Sequence, residues 1–141
     1  MISVELHNQS DISFKNESIV KLSHMVFSKF GYKSGLVNII VLDDESLRKM
    51  KKKYFEEDVY TDVITFNLNE DPFEGEIYIS YHRVRENARL FSKNFENEFK
   101  RVLIHGLLHL CGLEDYDVDM KAKMTEMENL FIHKFNQSVV N

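Results

Sequence analysis

An α+β fold, with a small mixed β-sheet of about four strands packed against about five helices, is what the sequence predicts. Three observations carry that expectation. Short β-branched or alternating segments recur through the first eighty residues, helical stripes fall between them, and from His82 onward the pattern is helical to the end. The 141 residues, 43% hydrophobic and 29% charged with one Pro and five Gly, suit one globular domain covering residues 1–141, with no repeat and no linker.

Ile2 to His7 alternates apolar and polar residues, as a half-buried opening strand does. Asn16 precedes a helix whose stripe is Ile19, Leu22, Val26 and Phe30, with Gly31 at its C-terminal cap. Leu36 to Leu42 is β-branched and short, a buried strand that lies parallel to the first because a helix provides the crossover. Asp43 and Asp44 are placed to cap a basic helix from Glu45 to about Lys53. Thr61 to Leu68 and Glu74 to Tyr81 read as a hairpin around the polar turn Asn69 to Pro72. Helices follow at about 82–92, 95–111 (stopped by Gly112) and 118–135. Met120, Met124 and Met127 recur at helical spacing and are expected to pack the last helix on the core.

Composition also excludes. Cys111 is the only cysteine, so no internal disulfide forms, and a reducing, cytoplasmic setting is expected. The first residues lack the basic and apolar regions of a secretion signal, and no apolar run approaches the roughly 18 to 20 residues that span a bilayer. A net charge of −5 argues against a general nucleic-acid coat protein, although it says little about one local site. Basic residues cluster at Arg48, Lys49, Lys51, Lys52 and Lys53 and at Arg83, Arg85 and Arg89, where solvated helix faces are the simpler reading. No glycine-rich phosphate loop or dinucleotide fingerprint is present, so a nucleotide cofactor is not expected.

The chemistry concentrates at His105-Gly106-Leu107-Leu108-His109. Four residues apart on a helix, the two imidazoles project from one face and can reach one ion. A lone His-x3-His is more often a pair of hydrogen-bonded histidines, but here Gly112 permits the chain to reverse after the helix. Asp115 can then close a three-ligand site whose fourth position is left for water, as catalytic zinc requires. Glu114 and Asp117 are rival carboxylates. Cys111 lies about 200° round the helix from His109 and is expected to be core filler. His7, His24, His82 and His133 are given surface or satisfied-core roles. Gly106 stands where the helical zinc peptidases carry their Glu base, which weakens a peptidase reading, while metal-bound water with a pKa of about 7 can itself supply hydroxide.

The stretch His105 to Asp115 resembles the His-Gly-x-Leu-His-Leu-x-Gly-x-Asp-His signature of the YbeY family. Tyr54 to Phe66, with Asp58, Thr61, Asp62, Val63 and Phe66 in place, resembles that family's Tyr-Arg-x-x-Asp-x-x-Thr-Asp-Val-Leu-Ser-Phe segment, and Gly75-Glu76-Ile77 its Gly-Asp-Ile strand. The resemblance implies a single-strand-specific endoribonuclease of rRNA maturation, acting at the 16S rRNA 3′ end through a metal-activated water. It implies His105, His109 and Asp115 as catalytic metal ligands and one divalent ion, zinc as first choice. The rRNA and the small ribosomal subunit are the implied partners, with ribosomal or GTPase assembly proteins as further candidates. Two departures stand out: Asp115 replaces the usual third histidine, and Phe55 replaces an arginine thought to act on phosphate, for which Lys51, Lys52 or Lys53 are candidate substitutes. Thr61 and Asp62 are candidates to orient substrate, against a plain role in the turn before the strand. A hydrolase of peptide or other ester bonds, and a non-catalytic ribosome assembly factor with a structural metal, are the rival readings.

Overall fold

The computed structural model describes residues 1–141. Its elements run β1 (Ile2–Asn8), α1 (Asn16–Lys29), β2 (Gly35–Leu42), α2 (Asp44–Phe55), β3 (Val63–Glu70), β4 (Phe73–Ser80), α3 (Tyr81–Leu90), α4 (Phe95–Leu110) and α5 (Val118–Lys134). The sheet order is β1-β2-β4-β3. β1 pairs with β2 and β2 with β4 in parallel, whereas β3 returns antiparallel to β4, so the sheet is mixed as expected. The β1-α1-β2 unit is the crossover that the helical stripe between two strand-like segments called for.

The element boundaries move by a few residues, each for a local reason. α2 begins where Asp43 accepts a hydrogen bond from the Ser46 amide at 2.8 Å. α1 has Lys15 at its N-cap without a side-chain bond, so Asn16 is the first helical residue rather than the cap. β3 starts two residues later than the sequence suggests, which leaves Thr61 and Asp62 in the approach to the strand. It also runs on to Glu70, so the turn shrinks to Asp71-Pro72.

α4 is the central helix, touching α1, α3, α5, β3 and β4. Its Leu103, Ile104, Leu107 and Leu108 are fully buried in the main core with Ile77 and Ile79 of β4 and Leu22 and Val26 of α1. Each such side chain contributes roughly 1.5 to 3 kcal/mol when taken from water, which is why this helix sits inside despite its polar first turn. Gly106 faces the sheet, and a Cβ there would stand 3.0 Å from Ile77 Cγ2, 3.3 Å from Val63 Cγ2 and 3.4 Å from Thr65 Cγ2. The glycine lets α4 lie close on β3 and β4.

In α5, Met124 is buried and Met127 half-buried as expected, but Met120 is exposed. Met120 lies in the first turn of α5, where its backbone amide is engaged by the cap residue Asp117 and its side chain faces solvent. No helix is long and apolar enough to cross a membrane.

Candidate metal centre

The C-terminal half of α4 carries His105 and His109 on one face, with ring centroids 4.6 Å apart. The helix ends at Cys111, where the Gly112 amide donates to His109 O and the Leu113 amide to Leu108 O. Gly112 adopts φ +96°, a conformation that side-chain-bearing residues rarely take. The reversal turns Leu113 to Asp115 back over the helix end, and Asp115 Oδ2 comes to lie 3.4 Å from His105 Nε2 and 3.6 Å from His109 Nε2. The three side chains offer ligand atoms that all lie within 4.8 Å of one another, an arrangement that could hold a metal ion.

The rivals are placed elsewhere. Asp117 caps α5 by accepting from the Met120 amide at 2.8 Å. Glu114 lines the cleft but is not among the convergent three. Cys111 packs against the main core, and burial pushes its thiol up to about 12, so it stays protonated at neutral pH. The remaining histidines have other partners or solvent: His7 meets Asn38, His24 meets the Ile2 carbonyl, His82 Nδ1 accepts from the Asp44 amide, and His133 is exposed.

Hydrogen bonding at the far side of each ring decides what the near side can do. His109 Nδ1 lies 2.9 Å from the Leu113 carbonyl oxygen, which only accepts, so Nδ1 carries the proton. His105 Nδ1 lies 2.5 Å from Glu128 Oε2 on α5, and the same reasoning applies. In neutral rings both Nε2 atoms are then acceptors, yet they stand 3.0 Å apart with the Asp115 carboxylate beside them. Three acceptors converge with no donor among them, and only a cation, a metal ion or a proton, complements such a set. The His105 pKa shows the same demand. Burial is the largest single influence and acts to lower it, but the Glu128 hydrogen bond and the charges of Glu128, Asp115 and Asp62 together raise it.

The cluster opens into a cleft of about 440 Å³ whose lining includes Lys51, Phe55, Thr61, Asp62, His105 and Tyr116. Lys51 Nζ sits 4.7 Å from the centroid of the Phe55 ring, so α2 brings an ammonium to the cleft beside the aromatic residue. Lys52 and Lys53 do not line it. Asp62 accepts from Asn87 Nδ2 at 3.2 Å, and burial raises its pKa against the opposing pull of His105.

The sequence profile of the family described as Endoribonuclease YbeY matches residues 5–136. The Endoribonuclease YbeY of Flavobacterium psychrophilum is 40% identical over 141 residues, covering 96% of this chain and 100% of that one. The chain belongs to the YbeY family. Another relative, Endoribonuclease YbeY of Chloroherpeton thalassium, is 38% identical over 117 residues, 82% of this chain and 83% of its own. The match to the Christiangramia forsetii protein of that name is 49% identical but shorter, 82 residues and 57% of each chain. Among solved structures, a solution structure from Thermotoga maritima superposes with a TM-score of 0.63 at 28% identity, covering 95% of this chain and 91% of that one. Residues of two of the three YbeY-like segments are thus brought to one cleft, from His105 to Asp115 at the end of α4 and from Thr61 to Thr65 at the approach to and start of β3, whereas Gly75 to Ile77 does not line it.

Sequence reasoning missed Glu128. It stands 23 residues after His105 on a different helix, and no local spacing connects them. One signal was available: a glutamate in the otherwise apolar series of α5, where Met124, Glu128 and Phe131 share the buried face.

Proposed function

We propose that this chain is a single-strand-specific, metal-dependent endoribonuclease that serves rRNA maturation at the 16S rRNA 3′ end. Membership of the YbeY family supports the reaction and the RNA substrate. The observation that carries the metal reading is the convergence of His105 Nε2, His109 Nε2 and Asp115 Oδ2, acceptors without a donor. Two nitrogens and one carboxylate oxygen suit zinc, and the anionic oxygen also suits manganese or a related divalent ion. When bound, the ion supplies Lewis-acid charge at the phosphodiester and acidifies water for attack on phosphorus.

The residues around it divide the remaining work. His105 and His109 are oriented by Glu128 and by the Leu113 carbonyl, so their Nε2 lone pairs face one point. Lys51 supplies the cleft with a cation for substrate phosphate, in the region where Phe55 cannot. As an ammonium it acts as a point charge rather than as a planar fork. Gly106 disfavours the peptidase reading, because the position that would carry a Glu base packs against Val63, Thr65 and Ile77 instead of facing the cleft.

Elemental analysis of wild type, His109→Ala and Asp115→Ala, with RNA cleavage assayed on the same preparations, tests this reading. One equivalent of divalent metal in wild type, lost from both variants together with cleavage of single-stranded RNA, is the expected result. Metal kept by both variants, or cleavage indifferent to its loss, overturns it.

A further inference from the structure

Glu128 is a buried carboxylate, 6% exposed, with both oxygens engaged. Oε2 meets His105 Nδ1 at 2.5 Å and Oε1 accepts from Arg101 Nη1 at 2.9 Å. Arg101 in turn donates through Nη2 to Asn129 Oδ1 at 2.8 Å, so its guanidinium spans two neighbouring residues of α5. Arg101 and His105 are one turn apart on α4 and grip the same carboxylate from the same face. The two histidines are therefore held by different means. His109 leans on a neutral carbonyl of its own loop, whereas His105 leans on an anion delivered by a helix that begins after that loop.

We propose that Glu128 is the positioning residue of the centre: it holds His105 as the Nδ1–H tautomer with Nε2 turned to the ion, and Arg101 holds Glu128 in register for that task. The proposal rests on the reading of His105, His109 and Asp115 as a divalent-metal site. Its physical basis is general. A ring that donates Nδ1–H to a carboxylate is fixed in tautomer and rotation, and its Nε2 becomes a stronger ligand than one facing a neutral acceptor. A structural alternative exists in which Glu128 and Arg101 only tie α5 to α4. That role predicts a change in stability and none in metal affinity.

The experiment is a zinc titration of metal-free, full-length wild type, Glu128→Gln and Glu128→Ala against a chromophoric chelator, with thermal melting of each metal-free protein as the control for folding. Glu128→Ala is expected to weaken zinc binding about 10- to 100-fold. Glu128→Gln, whose amide oxygen still accepts from Nδ1–H, is expected to recover part of that loss. Wild type that takes up one zinc while both variants match its affinity overturns the role of Glu128 and leaves the metal site standing. Wild type that binds no zinc or other divalent ion overturns the metal reading and this proposal with it. Should Glu128→Ala fail to fold, long-range proton–nitrogen NMR of zinc-loaded wild type decides the matter. His105 coordinated through Nε2, with its proton on Nδ1, is the expected result, and coordination through Nδ1 overturns the proposal.

Discussion

At Asp115 a carboxylate stands where the YbeY signature has its third histidine, and the consequence is electrostatic. Oδ2 adds a negative charge beside two imidazoles that already face each other as acceptors. An anionic ligand tightens the hold on a cation but leaves the bound ion a weaker Lewis acid than three neutral rings do. Asp115→His should therefore keep one metal per chain and cleave single-stranded RNA several-fold faster than wild type. Elemental analysis and a cleavage assay on one preparation check both halves, and loss of metal from Asp115→His would show that the loop cannot present an imidazole there. Lys51 makes a related point about local chemistry. Its neighbours Lys52 and Lys53 are equally basic in the sequence, and only the direction of the helix face separates the cleft lysine from the solvated ones.

α4 does two jobs as an element, and they lie on different faces. Leu103, Ile104, Leu107 and Leu108 anchor it in the core, while His105 and His109 point into the cleft. Gly106 marks the boundary with the sheet, close to Ile77, Val63 and Thr65. Installing the peptidase-type base by Gly106→Glu would thrust a carboxylate between two strands with no partner for its charge. Burying a polar group unpaired costs several kcal/mol, on the order of 2 to 7, and an ionised one costs more. We expect that variant to be strongly destabilised or insoluble and to gain no peptidase activity. A urea midpoint unchanged from wild type would show that α4 does not rest on the sheet through this residue.

Across the whole molecule, the site draws on residues far apart in the chain. α4 brings the histidines, the reversal at Gly112 brings Asp115, α5 brings Glu128, and the approach to β3 brings Asp62. An ion held there binds the folded chain and has no comparable site in the unfolded one, so it stabilises the whole fold by linkage. At free metal 100-fold above the dissociation constant the gain is about 2.7 kcal/mol. For a chain of this size that corresponds to a rise in Tm of roughly 5 to 10 °C. Melting the metal-loaded protein with and without a chelator, then restoring zinc, checks this. A Tm that ignores the chelator, in protein shown to carry metal beforehand, would mean that the ion does not couple to the fold.

Local pattern was enough for much of this protein. Periodicity located every helix and strand to within a few residues, because each element's apolar face is written at 3.6- or 2-residue spacing. The pairing of His105 with His109 was legible for the same reason, since a helix brings residues four apart onto one face. Boundaries such as the late start of β3 were not legible, nor was the outward turn of Met120, because both depend on where neighbouring elements end. Asp115 was already the sequence's choice for the third ligand, from the reversal at Gly112 and the family signature, and the fold brings it, rather than Glu114 or Asp117, to the two histidines. The choice of Lys51 over its two neighbours and the contacts of Glu128 with His105 and Arg101 were decided by tertiary structure alone. Those contacts join residues whose separation along the chain carries no period, so packing, rather than local sequence pattern, brings them within ångströms of one another.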